Sequence, residues 1–282
     1  METKTYRYEQ VEYLFSPHAH FELSQKTSSF VPFHYHDALE LIYILEGELV
    51  VIQGQHETLF RPGDIALINL NVLHSTISRT GNTSILLQFP SADLYHYIPD
   101  MRYKEFLWEP FSSDSETRRK MDGVRGLLDS LLDTAKDQPP GHILHFESLL
   151  LELIFQLYSG FAHDITKAQF HLSEKNLERL SQIVSFTEEH YAESFSLSDI
   201  AGHFHLQTNY FCRFFKNNTG VTYMKFLQDY RLSKIYYDLL HSDLPLGLLL
   251  ERHGFTNYKL FRQCFYERFG MTPGALRRAK KE

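Results

Sequence analysis

Between about residues 20 and 90, apolar positions come in short runs or alternate with polar ones, as in LELIYILE, LVVIQ, IALINL and SILLQF. Period-two patterning in segments this short predicts β-strands. Glu46-Gly47 and Gln53-Gly54 mark hairpins, and Arg61-Pro62-Gly63-Asp64 reads as a tight turn. Many short strands at close spacing predict a small barrel or sandwich.

The period becomes helical from about 114 to 163. Met121, Val124, Leu128, Leu131 and Ala135 follow 3-4 spacing, and so do Ile143, Phe146, Leu150, Leu153 and Leu157 after the Pro139-Pro140-Gly141 break. The second helix is also apolar at Leu144, Leu151, Ile154, Phe155 and Tyr158. A helix apolar on nearly every side must be covered on nearly every side. One face is expected to pack on the barrel, and the a/d seam to pair with a second copy, giving a homodimer. A purely intrachain helical hairpin is the other arrangement open. Residues 163–174 (HDITKAQFHLSE) are polar and predict a linker, with Ser173-Glu174 opening a helix to about Tyr191.

The remainder reads as helix and contains a diverged duplication. Phe211, Phe215, Gly220 and Thr222 recur fifty residues later as Phe261, Phe265, Gly270 and Thr272, while Leu206 pairs with Phe255 at an offset of 49. Two copies of a short helix, a tight turn and a second helix predict two helix-turn-helix units, about 196–218 and 245–268. Local signals agree. Ser196 with Asp199 reads as a capping box, Gly220 suits a left-handed C-cap and Thr222 can cap a long helix over about 222–240. Pro245 and Pro273 suit first helical positions.

The stretch SLSDIAGHFHLQTNYFCRFFKNNTGVTYMKFLQDYRLSKIYYDLL resembles the AraC/XylS family of transcription regulators, as does LERHGFTNYKLFRQCFYERFGMTPGALRR, with Gly254-Phe255 and Phe269-Gly270-Met271-Thr272-Pro273. The resemblance covers about 110 residues. It implies two recognition helices in successive major-groove segments. On the first, about 208–217, Asn209, Cys212 and Arg213 are expected at base edges, and Gln207, Thr208 and Lys216 near phosphates. Arg213 can pair bidentately with guanine. The alternative for Arg213 is an ordinary solvated surface arginine. Phe211, Phe214 and Phe215 are expected in the core. The second unit departs from the family pattern: Gln263 replaces the usual arginine, Tyr266-Glu267 the common lysine pair, and Leu250 stands opposite the small Ala201. Weaker sequence reading there, through Asn257, Tyr258, Lys259, Arg262 and Gln263, is the expectation.

His34-Tyr35-His36, Glu40 and Gly47 fit the first cupin motif, H-x-H-x3-E-x6-G, and Pro62-Gly63-Asp64 with His74 supplies most of the second. Strand geometry would put His34, His36 and Glu40 on one face. Three neutral imidazoles and a carboxylate suit Fe, Mn, Ni or Zn. By resemblance to regulator barrels, the same residues can instead line an effector pocket with Tyr43. Both readings stay open: a metal site of His34, His36, Glu40 and His74, or a polar effector pocket of these and Tyr43 with no bound cofactor. Phe30, Phe33, Tyr35, Tyr43 and a short N-terminal arm are expected to close over a small polar molecule.

Composition refines this picture. A length of 282 residues favours two domains. The overall charge of −7 speaks against a polyanion binder until the chain is divided. Residues 1–172 carry 13 Lys/Arg against 23 Asp/Glu, and residues 173–282 carry 15 against 12. No apolar run reaches the ~20 residues of a membrane span. METKTYRYEQVEY lacks the core of a signal peptide, and two cysteines make no disulfide scaffold, so a cytoplasmic home is expected. Cys264 aligns with a core apolar position and Cys212 has no basic cluster beyond Arg213, so a redox switch is not expected.

The expectation is thus an α+β protein of two domains. Residues 1–165 form a cupin-like β-barrel with a helical dimerisation segment for effector binding, and 173–282 an all-α DNA-binding domain. The family resemblance implies an effector-responsive activator, commonly of carbohydrate metabolism. Its implied partners are double-stranded DNA, a small effector such as a sugar, RNA polymerase and a second copy of itself, with no membrane. No catalytic constellation is recognised and no enzymatic role is expected. The contrasting readings are a metal-sensing regulator and a metal-dependent cupin enzyme fused to a DNA-binding domain.

Overall fold

A computed structural model describes residues 16, 18–26, 29–54 and 56–279. The expected N-terminal arm, residues 1–15, lies outside the described residues. Eight of the described strands, β1 (His20–Lys26), β2 (Ser29–His34), β3 (Ala38–Gly47), β4 (Leu49–Gln53), β5 (His56–Phe60), β6 (Ile65–Ile68), β7 (His74–Ser78) and β8 (Asn82–Pro90), form two antiparallel sheets. Their orders are β1-β8-β3-β6 and β2-β7-β4-β5. Gly54 (φ 57°) turns the chain at the expected β4–β5 hairpin, whereas the turn at Gly47 (φ 74°) is not a hairpin: it carries the chain from β3 in one sheet to β4 in the other.

Between the sheets lies a small apolar interior of Ile42, Ile44, Leu49, Val51, Phe60, Ala66 and Ile68. Alternate residues of β3 and β8 point out of the barrel: Leu39, Leu41, Tyr43, Ile85, Leu87 and Phe89. They meet α2 (Ser115–Asp137) and α3 (His142–Phe161), which pack against each other as a hairpin. The first sheet is therefore buried on both faces, which accounts for the unbroken apolar run of β3. The short helix α1 (Ser91–Tyr97) follows β8. A ribbon of β9 (Lys104–Phe106) and β10 (Ala162–Asp164) closes the half-molecule.

The expected polar linker is not a linker. The helix α4 (Lys167–His190) starts within it, capped by a Thr166/Gln169 capping box. That pairing of a cap residue with a glutamine three positions on satisfies two otherwise orphaned amides, which lets a polar segment nucleate a helix.

The first helix-turn-helix unit comprises α5 (Leu197–His203) and α6 (Thr208–Thr219). The long α7 (Tyr223–His241) leads to the second, α8 (Leu246–Arg252) and α9 (Tyr258–Phe269), and α10 (Pro273–Ala279) follows. The duplication extends to single hydrogen bonds. Leu206 N donates to Ala201 O and Phe255 N to Leu250 O, both at 2.8 Å; Gly220 N donates to Lys216 O and Gly270 N to Tyr266 O, again at 2.8 Å. Thus the change of offset from 49 to 50 falls in the turn itself, where the second unit has one extra residue. Pro245 is the N-cap of α8 rather than its first residue, while Pro273 opens α10 as expected.

The left-handed turn position is His205 (φ 53°) in the first unit and Gly254 (φ 72°) in the second. The two differ in what surrounds them. A Cβ on Gly254 would lie 2.4 Å from Ala192 O, so only glycine fits where the second unit abuts the end of α4. That junction is polar: His253 bonds Tyr191 Oη at 3.0 Å and Asp238 Oδ2 at 3.0 Å, while Arg231 donates to the carbonyls of Tyr191 and Glu193. Gly254→Ala is expected to destabilise the protein by roughly 3 kcal/mol or more. Gly202→Ala, in open space on α5, should shift it by less than about 1 kcal/mol. Chemical denaturation of the two variants checks this.

Candidate DNA interface and buried histidine cluster

The α6 helix buries Phe211, Phe214, Phe215 and Thr219. Asn209, Arg213 and Lys216 are exposed and, at 3-4 spacing, share the opposite face. Gln207 is exposed at the N-cap position and Thr208 half-buried in the first turn. Cys212 is half-buried, packing on the apolar cluster beneath α6 at the border of the exposed face. Sequence reasoning missed Tyr210, whose hydroxyl receives a hydrogen bond from Arg179 of α4 at 3.1 Å.

The α9 helix buries Phe261, Phe265 and Phe269 and exposes Tyr258, Lys259, Arg262, Gln263 and Tyr266. These five residues line a surface hollow completed by Thr272 and Pro273. Two of the expected reading residues are already engaged. Asn257 accepts from Leu260 N at 2.9 Å as the helix cap, and Gln263 donates to Glu267 at 2.8 Å. Both free cysteines are half-buried, and burial followed by nearby Glu267 pushes the Cys264 thiol up.

In the barrel, His34, His36 and His74 come together with ligand nitrogens all within 4.8 Å of one another. They reach this place from different strands. His34 ends β2, His36 lies just before β3 and His74 opens β7. Each ring has Nδ1 against a main-chain carbonyl: His34 on Pro32 O at 2.8 Å, His36 on Ala38 O at 3.1 Å and His74 on Val72 O at 2.9 Å. A carbonyl only accepts, so every Nδ1 must carry the hydrogen. This fixes the orientation of all three rings and turns each Nε2 away from its own backbone.

Glu40, on β3 and almost fully buried, faces the rings. Its Oε2 lies 3.0 Å from His36 Nε2 and accepts from Gln88 Nε2 at 2.7 Å; its Oε1 lies 3.5 Å from His74 Nε2. Burial works to raise the Glu40 pKa, but His36 and His74 beside it outweigh burial and hold the carboxyl well below its usual range. Burial, reinforced by His74, pushes His34 down to about 3, leaving a neutral imidazole. His74 Nε2 is buried without a hydrogen-bond partner. A buried carboxylate among Nδ1-anchored imidazoles needs a positive charge at its centre: an imidazolium proton or a cation. Three imidazole nitrogens and one carboxylate, one nitrogen still unsatisfied, fit a divalent transition ion.

Tyr43 does not join this group. Three positions from Glu40 on one strand, it faces outward into the α2–α3 cluster, and burial with Asp129 beside it pushes its pKa up to about 12. The other aromatics expected to wall a pocket are also elsewhere. Phe33 and Tyr35 belong to the apolar cluster around Phe211 and Phe226, and Phe30 packs edge-on against Phe269 at 5.3 Å. The physical reason is a bulge. Between Val31 and His34 the pairing of β2 advances three residues while that of β7 advances two, Thr76 to His74. The extra residue moves Phe33 and Tyr35 to the outer face with Phe30 and turns His34 and His36 inward. Gln88 was missed by sequence reasoning, although a glutamine inside the apolar run SILLQF is a visible exception to the pattern.

Comparison with known proteins accords with both halves. A helix-turn-helix domain model matches residues 200–279 and a cupin domain model residues 20–88. The Bacillus subtilis (strain 168) "Uncharacterized HTH-type transcriptional regulator YdeC" is 24% identical over 270 residues, covering 89% of this chain and 87% of that protein. YfiF from the same strain, also named an HTH-type transcriptional regulator, is 25% identical over 258 residues, covering 88% and 79%. Among solved structures, ToxT from Vibrio cholerae matches 92% of this chain and 98% of its own at 14% identity and a TM-score of 0.43. A cupin domain joined to a helix-turn-helix domain defines a DNA-binding transcription regulator. These matches accord with the resemblance of residues 196–278 to AraC/XylS regulators. Among the described residues, no helix is long and apolar enough to cross a membrane.

Glu40→Ala should leave the positive charge of the ion-free cluster buried without its counter-charge and cost about 3–5 kcal/mol. Urea denaturation of chelator-treated protein measures it, and a loss under 1 kcal/mol would contradict the electrostatic account.

Proposed function

We propose that the protein is a sequence-specific transcription activator that dimerises through α3 and whose barrel senses a ligand at the histidine cluster. The observation that carries the reading is the pairing of an Arg213-bearing exposed face on α6 with a buried, pre-oriented polar cluster in a separate domain. A regulator needs two such places, and effector binding must favour one arrangement of them over another. The activator role, an RNA polymerase partner and a carbohydrate-metabolism operon rest on the family resemblance alone, and so does a sugar as the effector.

A second reading of the ligand is favoured by the cluster itself. The aromatics that would wall a sugar pocket are spent at other interfaces, and the histidines are nearly fully buried. Those facts support a divalent ion, held by His34, His36, His74 and Glu40, as the direct ligand. A cupin enzyme has less in its favour, since among the described residues no further acid, base or nucleophile stands with these four.

Dimerisation is supported by the outer face of α3. Leu144 is 78% exposed, Leu151 42% and Phe155 61%, and they stand at seven- and four-residue intervals along one stripe. Leu151→Asp with Phe155→Asp should convert a dimer to a monomer in sedimentation experiments, while an unchanged mass would remove α3 as the interface.

Crosslinking in the host followed by sequencing of bound DNA would give the operator, and diffuse background alone would count against a sequence-specific regulator. On that operator, Arg213→Ala is expected to weaken binding ten- to hundredfold, about 1–3 kcal/mol, with little change in non-specific affinity. Gln263→Ala should change binding less than threefold, because its side chain is tied to Glu267. Equal losses for both would show that the second unit reads bases as strongly as the first.

A further inference from the structure

The outer face of the second sheet is covered by the DNA-binding domain: β2 lies against α7, Phe33, Tyr35 and Leu73 join the apolar core of the first helix-turn-helix unit, and the C-terminal end of α9 meets the sheet beside β7. Arg79, just beyond β7, donates from Nη2 to Glu267 O at 2.8 Å and from Nε to Arg268 O at 3.4 Å. Its guanidinium therefore sits on the orphaned carbonyls at the negative end of the second recognition helix. Arg268 reaches back, donating to Ser75 Oγ on β7 at 3.2 Å. Its guanidinium stacks 4.5 Å above the Phe30 ring and pairs with buried Asp229 of α7 at 3.5 Å. Phe33 meets Phe226 of α7 with ring centres 6.2 Å apart.

The residues making this contact are the chain neighbours of the histidines. Phe33 and Tyr35 flank His34; Leu73 and Ser75 flank His74. Phe33, Tyr35 and Leu73 share one apolar cluster with Phe214, Phe226 and Leu227. Ser75 Oγ also donates to Val31 O at 2.9 Å, fastening β7 to β2 beside the bulge. The barrel wall is thus one strand thick here, with the histidine cluster on its inner side and, on its outer side, the first unit's core with α7 and the C-terminal end of α9.

We infer that an ion at His34, His36 and His74 sets the grip of the barrel on the second helix-turn-helix unit, through β2 and β7. This rests on the reading of the cluster as a divalent-ion site. The nitrogens now lie up to 4.8 Å apart on segments that the clamp also uses. Drawing them onto one ion stiffens β2 against β7, and with them Phe33, Ser75 and Arg79. The loaded barrel holds the α9 C-terminus; the ion-free barrel lets it move. The Arg79 clamp acts on the second unit, while the exposed Arg213 face of the first unit points away from its buried Phe214 contact with the barrel.

The test uses the full chain, stripped with chelator and titrated with zinc chloride. Bound zinc is counted directly, and amide hydrogen exchange is followed for peptides covering 262–270. One zinc per chain is expected, with exchange in 262–270 slowed at least threefold. Arg79→Ala should still bind one zinc but exchange rapidly in 262–270 with or without it. Zinc bound at one per chain with unchanged exchange would overturn the coupling and leave the ion site standing. Protection by zinc that persists in Arg79→Ala would also overturn it, since the clamp would not be the route. Absence of zinc binding by the wild-type chain would overturn both the ion site and the coupling.

Discussion

The additional residue in β2 between Val31 and His34 decides which side chains face into the barrel and which face away from it. A strand has only two faces, and the side-chain period is two, so a single insertion exchanges them for everything beyond it. Without it, Phe30 and His34 would share a face, and Phe33 would point to the barrel interior. With it, Phe30, Phe33 and Tyr35 all lie outward as an aromatic surface for the DNA-binding domain, and His34 and His36 turn in toward His74 and Glu40. The ligand cluster and the domain interface are two results of one local irregularity.

Much of this architecture is legible in the sequence because it depends on local pattern. The fifty-residue duplication, the Ser196–Asp199 capping box and the left-handed Gly220 each follow from residue type and spacing, and the structure realises all three. The convergence of His34, His36, Glu40 and His74 was readable as a motif. What was not legible depends on register or on distant partners. Aromatic chemistry suggested a pocket wall, but which face of β2 turns inward depends on the bulge, which has no strong signature apart from Pro32. Tyr43 looked like a neighbour of Glu40 in sequence, but odd spacing on β3 sends it to Asp129. Polar composition suggested a linker where a capping box starts α4, since helix nucleation there depends on two side chains rather than on apolar periodicity.

The two helix-turn-helix units also show how one motif is adapted to different surroundings. The first carries a histidine at its left-handed turn position and the second a glycine, because only the second has a carbonyl pressed against that position. The first presents an unencumbered Arg213. The second commits Asn257 to its cap, Gln263 to Glu267 and its C-terminal carbonyls to Arg79. Groups already satisfied within the chain have less to gain from a base edge, and both units also lend buried residues to the contact with the barrel.

The early start of α4 bears on how the halves can separate. With only Ile165 and Thr166 between β10 and this helix, the barrel and the DNA-binding domain are joined by almost no slack. A tether this short keeps the two surfaces at a high local concentration, of order millimolar or above. An interface too weak to hold two separate molecules together can then close reliably within one chain. It can also open and close many times, since the detached domain never diffuses out of reach.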